Sequence, residues 1–178
     1  MANLVVSVFA LASFLWVVVS MVQGSLVPQF NIAGSWKQMR SVSQQAARTE
    51  LGQVDLQVQS SGAEVRLAAG NTGSVSLHDF GNWDVIATYR ESATATDFLV
   101  RRLTYTTAAS PGDNQWAVGG IYRDAVLNTD ETFDPGILDP GEQIALQVRL
   151  SPGSATSTVG QLVVATENGV TLSAQFTH

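Results

Sequence analysis

The sequence predicts an α+β chain, a long hydrophobic N-terminal α-helix followed by a single antiparallel β-sandwich. Three observations predict it. The first charged residue is Lys37, and Leu4 to Val22 is apolar apart from Ser7, Ser13 and Ser20. Beyond Gln53 the apolar residues recur with a period of two in short runs. Turn signals separate those runs, and no second helical pattern follows.

The helix comes first. A helix of roughly 20 residues reaches about 30 Å, the thickness of a bilayer's hydrocarbon layer, so Leu4–Val22 can live in lipid. Ala10, Ala12, Ser13, Ser20 and Gly24 are small, and small residues let helix backbones approach closely where no water drives association. Trp16 lies deep within the apolar run, too deep to anchor at a membrane interface, and packing against neighbouring helices explains it better. Leu4, Val8, Ala12, Leu15, Trp16 and Val19, with Phe30 and Trp36 further on, are the residues expected to pack helix against helix. Val22 and Gly24 are small enough for signal-peptide cleavage, but the basic start of such a peptide is missing, and the segment is expected to belong to the working protein.

The helical stripe continues through Leu26, Phe30, Ala33, Trp36, Met39, Val42 and Ala46, with Lys37, Gln38, Arg40, Gln44, Gln45 and Arg48 on other faces. Pro28 lacks a backbone donor and predicts a kink or short break between Gly24 and Phe30. Gly52 is the expected stop. The helix thus occupies residues 1–50 and the β-domain residues 53–178. A span of about 50 residues would be about 75 Å long, over twice what a membrane anchor needs.

Val54, Leu56 and Val58 alternate with polar residues, as do Val65 and Leu67, and Val75 and Leu77 follow. Further strands are predicted at Trp83–Arg90, Asp97–Thr106, Gln115–Tyr122, Gln143–Leu150, Gln161–Thr166 and Val170–Phe176. In Gln143–Leu150, Ile144, Leu146, Val148 and Leu150 face one way and Gln143, Ala145, Gln147 and Arg149 the other. Asn168-Gly169 reads as a tight hairpin turn, and Ser110-Pro-Gly, Asp134-Pro-Gly, Asp139-Pro-Gly and Ser151-Pro-Gly mark other connections. So many short strands without a second helix imply a sandwich of immunoglobulin-like type.

Composition narrows the function. The chain has no cysteine, which excludes disulfides and thiolate metal sites. Through Glu50 it carries Lys37, Arg40 and Arg48 against one acid, a balance of +2, and the remainder, with 14 acids, balances to -8. An acidic domain with scattered bases does not suit nucleic acid and does suit a soluble outer surface.

No enzyme chemistry is expected. His78-Asp79 stands near Ser74 and Ser76, but strand neighbours two apart share a face without forming a nucleophile–base–orienter chain. Asp124, Asp130, Glu131, Asp134, Asp139 and Glu142 could supply oxygens to calcium, yet their spacing is not that of an EF-hand and acids beside Pro-Gly are ordinary turn residues. Trp83, Trp116, Tyr89, Tyr105 and Tyr122 read as core rather than as a sugar platform. There is no Asn-x-Ser/Thr acceptor, no phosphate-cradling loop and no nucleotide fingerprint, and no cofactor is expected.

An uncharged apolar helix fused to one β-sandwich resembles the archaellin and type IV pilin-like superfamily. Asn71-Thr-Gly-Ser-Val-Ser-Leu77 followed by Phe80, Trp83, Asp84 and Val85 is similar to a segment of archaellins and of membrane-anchored archaellum stator proteins. Leu138-Asp-Pro-Gly-Glu142 and Asn168-Gly-Val170 resemble their late hairpins. The resemblance implies a leader cut by a prepilin-type peptidase, and the sequence departs from the family in that no basic leader ending in glycine precedes Met1. It also implies polymerisation through the helices, from the cell membrane into an extracellular motility filament rotated by ATPase-driven motor proteins. Val5 stands where bacterial type IV pilins carry an acid, which points towards archaellins. The alternative is a membrane-anchored stator-like or adhesive surface module.

Overall fold

A computed structural model describes residues 2–59, 62–134 and 136–178, and along the first helix the side chains of residues 5–21, 36, 37 and 39 onward. It divides into two compact units, Met1–Gln44 and Gln45–His178.

Helix α1 spans Ala2–Arg48 without interruption. The break expected near Pro28 does not occur, because a proline forfeits one backbone donor while the ladder on either side sustains the helix. The expected stop at Gly52 is also displaced. Thr49 donates its backbone N–H to the Ala46 carbonyl at 3.2 Å, which closes the last turn, and Gly52 lies inside the first strand.

The strands are β1 (Leu51–Gln59), β2 (Glu64–Asn71), β3 (Asp84–Tyr89), β4 (Leu99–Tyr105), β5 (Gln115–Asp124), β6 (Thr129–Asp130), β7 (Gln143–Arg149), β8 (Val159–Ala165) and β9 (Thr171–Thr177). All but the two-residue β6 lie on runs that the alternation picks out. Their hydrogen-bonded order is β1-β2-β7-β5-β4-β3-β8-β9, with β6 against β5. Only Thr104↔Gln115 and Tyr105↔Trp116 join β4 to β5, and that pairing is parallel. The sheet turns at this seam into two layers, β1-β2-β7-β5-β6 and β4-β3-β8-β9, so the sandwich is not wholly antiparallel as the sequence suggests.

One apolar core fills the space between the layers. Leu67, Ile144, Leu146 and Val148 come from the first, and Val85, Leu162, Val164 and Phe176 from the second. The alternation of β7 holds except at Ala145, which is small enough to be buried on the other face. The alternation of β1 fails at Val54, which is exposed because the ladder shifts register between Gln53 and Asp55.

Val75–Leu77 does not form the expected strand. Asn71 donates from Nδ2 to the Val75 carbonyl at 2.8 Å and bends the chain there, leaving Leu77 a single bridge to Leu138. The Asn168-Gly169 turn is wider than a two-residue hairpin. It closes between Thr166 and Val170, with Gly169 at φ 78, as in a three-residue loop ending in a left-handed glycine.

Tyr89 is fully buried and donates its hydroxyl to the Pro152 carbonyl at 2.8 Å. Burial raises its pKa above the ordinary 10.0, and the Arg101 charge pulls partly against that rise. The fold keeps this proton after the unfolded chain has lost its own. The stability held here is therefore whole below the unfolded value and is lost as pH climbs from that value through the folded one. Tyr89→Phe is expected to cost about 1 kcal/mol at neutral pH through the orphaned carbonyl. It should also flatten the alkaline decline, as urea unfolding across that pH window would show.

Candidate functional site

Within Val5–Met21 the helix exposes its whole circumference. Val5, Val8, Phe9, Leu11, Phe14, Leu15, Val17 and Val19 are all exposed, and Trp16 is 77% exposed. Ala12 is exposed among them. The hydroxyls within this run turn inward to their own helix: Ser13 donates from Oγ to the Phe9 carbonyl at 2.9 Å and Ser20 to the Trp16 carbonyl at 2.8 Å. Such hydroxyls need no water, so this surface is suited to a dry environment on every side.

Of the expected packing residues, Val8, Ala12, Leu15, Trp16, Val19 and Trp36 are exposed. The side chains of Leu4 and Phe30 lie outside the described residues. Among the described residues no helical stretch is long and apolar enough to cross a membrane.

At its other end the helix enters the second unit. Its last turn, Gln45–Arg48, is tied into the sandwich: Ser74 donates its N–H to the Arg48 carbonyl at 2.8 Å, and Arg48 donates from Nε to Ser74 Oγ at 3.1 Å. Asn168 donates from Nδ2 to Thr49 Oγ1 at 3.3 Å. A Cβ at Gly73 would stand 2.5 Å from the Arg48 carbonyl oxygen, so only glycine permits this approach. Asn71, 1% exposed, supports the same turn by donating to the Val75 and Leu138 carbonyls and accepting the Gly73 N–H at 3.1 Å. The sequence marks Asn71-Thr-Gly73 as a turn but gives no sign that it seats the end of the helix.

The acidic residues do not converge. Asp124 accepts the N–H groups of Val126 and Leu127, each at 3.0 Å. Glu131 accepts from Phe133 and Asp134, Glu142 accepts the Asp139 N–H at 2.8 Å, and Asp139 accepts from Ser76 Oγ. Asp124, Glu131 and Glu142 cap their own loops, and among the described residues no group of three or more acids, histidines or cysteines could hold a metal ion. His78 Nδ1 meets Asp79 Oδ2 at 3.0 Å on the open surface, while Ser76 and Ser74 are engaged elsewhere. Trp83, Trp116 and Tyr89 are buried as expected, and Tyr105 packs its ring 4.8 Å from that of Trp116.

Sequence reasoning misses one surface. Val126, Leu127 and Phe133, the last 89% exposed, project from the loops around β6. Their only signal is large apolar residues in a turn-rich acidic segment, outside any alternating run.

No protein-family model matches the chain, and no curated protein matches it. Solved structures do. The archaeal flagellum of Methanospirillum hungatei strain JF1 aligns at a TM-score of 0.61 and 13% identity, over 96% of this chain and 90% of that one. The archaellum periplasmic stator protein FlaG from Sulfolobus acidocaldarius aligns at 0.51 and 20% identity, over 72% of this chain and 99% of that one. The complex of FlaF and FlaG from the same organism aligns at 0.50 and 19% identity, over 72% and 89%. At these identities the likeness is one of fold, and this chain has the fold of archaellum proteins, shared by filament and stator components alike.

Proposed function

We propose that the chain is a structural subunit of an archaellum-like surface filament used for motility, polymerising by packing its N-terminal helices. The observation that carries this reading is the uninterrupted helix Ala2–Arg48, about 70 Å long, over twice the hydrocarbon layer that an anchor must cross. The alignment over 96% of the chain with an archaeal flagellum supports it, because such coverage takes in the helix as well as the sandwich. The strand order β1-β2-β7-β5 over β4-β3-β8-β9 supports an immunoglobulin-like outer domain with one added strand.

In this mechanism the subunit waits in the cell membrane and leaves it by exchanging lipid contacts for helix contacts. Leu4, Val8, Ala12, Leu15, Trp16, Val19, Phe30 and Trp36 pack in the bundle, and the sandwiches form the outer shell. Lipid tails are as apolar as leucine, so close packing rather than burial from water drives the exchange. Motor and platform proteins join the assembly on the archaellum reading. The second reading is a stator-like module that uses the helix once, in lipid, and it is favoured by the coverage of FlaG, which matches over a share of the chain no larger than the sandwich unit. Electron microscopy of the native assembly separates them. A fibre with a central column of helices is expected, and isolated membrane-bound sandwiches would overturn the filament.

A further inference from the structure

We infer that the acidic loop around β6 docks on the basic, apolar end of α1 in a second copy of this chain. The inference rests on the filament reading and names one of its contacts. The segment from Asp124 to Glu142 contains six acids and no base, and it stays a net acidic surface beside the two bases against it, Arg123, which lines one concavity with Glu131, Phe133 and Glu142, and Arg66, which donates to Asn128 at 3.3 Å. Asp124, Glu131 and Glu142 accept backbone N–H groups and Asp139 a serine hydroxyl, none of which neutralises charge, and none of the six acids forms an ion pair among the described residues. Val126, Leu127 and Phe133 project from the same stretch into solvent. Exposed apolar side chains rimmed by charge are the mark of a surface that meets another protein.

The first unit carries the complementary surface. Beyond Trp36, the last residue assigned to the bundle, Met39 and Val42 are exposed at helical spacing, and Lys37 and Arg40 stand beside them. The two surfaces match in kind, apolar with acids against apolar with bases, and electrostatic matching of this sort selects partner and register more than it adds affinity. They are different patches of one chain, so unless two copies exchange them reciprocally about a two-fold axis they join head to tail, as a helical polymer requires.

The absence of cysteine makes the contact measurable by crosslinking. Full-length Met39→Cys and full-length Leu127→Cys are co-assembled from separate chains and oxidised. A disulfide-linked dimer containing one of each is expected. Asp130→Lys with Asp134→Lys in the Leu127→Cys chain should reduce its yield roughly tenfold, the scale of two reversed surface pairs. Lys37→Glu with Arg40→Glu in the partner chain should restore it. Absence of the mixed dimer in samples that form fibres overturns this contact and leaves the filament standing. Absence of fibres overturns the filament reading, and the crosslink in the same sample still decides the contact. A charge reversal without effect, or without rescue, overturns the electrostatic matching.

Discussion

Ala12→Glu is expected to abolish filaments altogether. Ala12 sits in the middle of the apolar run, flanked by Leu11 and Ser13, and its neighbours offer no cation, since the first base is Lys37. Taking an unpaired carboxylate out of water costs several kcal/mol even after relaxation. A helical polymer repeats that cost at every subunit, whereas the close packing of small residues that it replaces is worth far less per contact. The sandwich is a separate compact unit and should remain folded. Pelleting and negative-stain microscopy should find no fibre where the wild-type chain forms them, while circular dichroism of the soluble part retains its β signal. Normal fibres from this variant would remove the helix bundle from the core.

Asn71→Ala is expected to destabilise the sandwich strongly although it removes no apolar side chain from the core. The side chain has no access to solvent to speak of, and it makes three hydrogen bonds, to the Val75 and Leu138 carbonyls and from the Gly73 N–H. Truncation leaves the half-buried Val75 carbonyl without its donor, at a cost of about 1–3 kcal/mol, while the Gly73 N–H keeps its second acceptor, the Glu50 carbonyl at 3.2 Å. A loss of about 2 kcal/mol and a fall in Tm of about 6 °C follow for a domain of this size. Asn71→Asp separates hydrogen bonding from packing. It keeps the shape but brings a carboxylate against two carbonyl oxygens, so it should be at least as damaging. A neutral result for Asn71→Asp in thermal unfolding would show that packing, not the donor, holds the turn.

Much of the sandwich is legible because its strands are half-buried. A period of two is forced wherever one face meets the core, and Ile144, Leu146 and Val148 display it openly. Legibility ends where pairing departs from the regular pleat. The exposed Val54 follows from a shift in ladder register, and no local composition announces that shift. The missing strand at Val75–Leu77 has a similar cause. Two alternating apolar residues favour a strand, but a side chain four residues earlier captures the Val75 carbonyl and ends the extended run. Pro28 errs in the opposite sense, its local penalty being smaller than the cooperative gain of the turns on either side.

The candidate surface divides in the same way. That the first helix is uncharged as far as Lys37, and that the acids gather between Asp124 and Glu142, are matters of composition, and the sequence alone determines them. It likewise determines the existence of the alternating strands, since the period of burial is written in residue type. Tertiary structure alone decided that β4 and β5 meet in parallel at two residue pairs, that Gly73 is where the last helical turn is seated, and that Leu127 and Phe133 face solvent. Each of these depends on which distant segments come together, and contact between residues far apart in the chain leaves no mark in the local pattern of either.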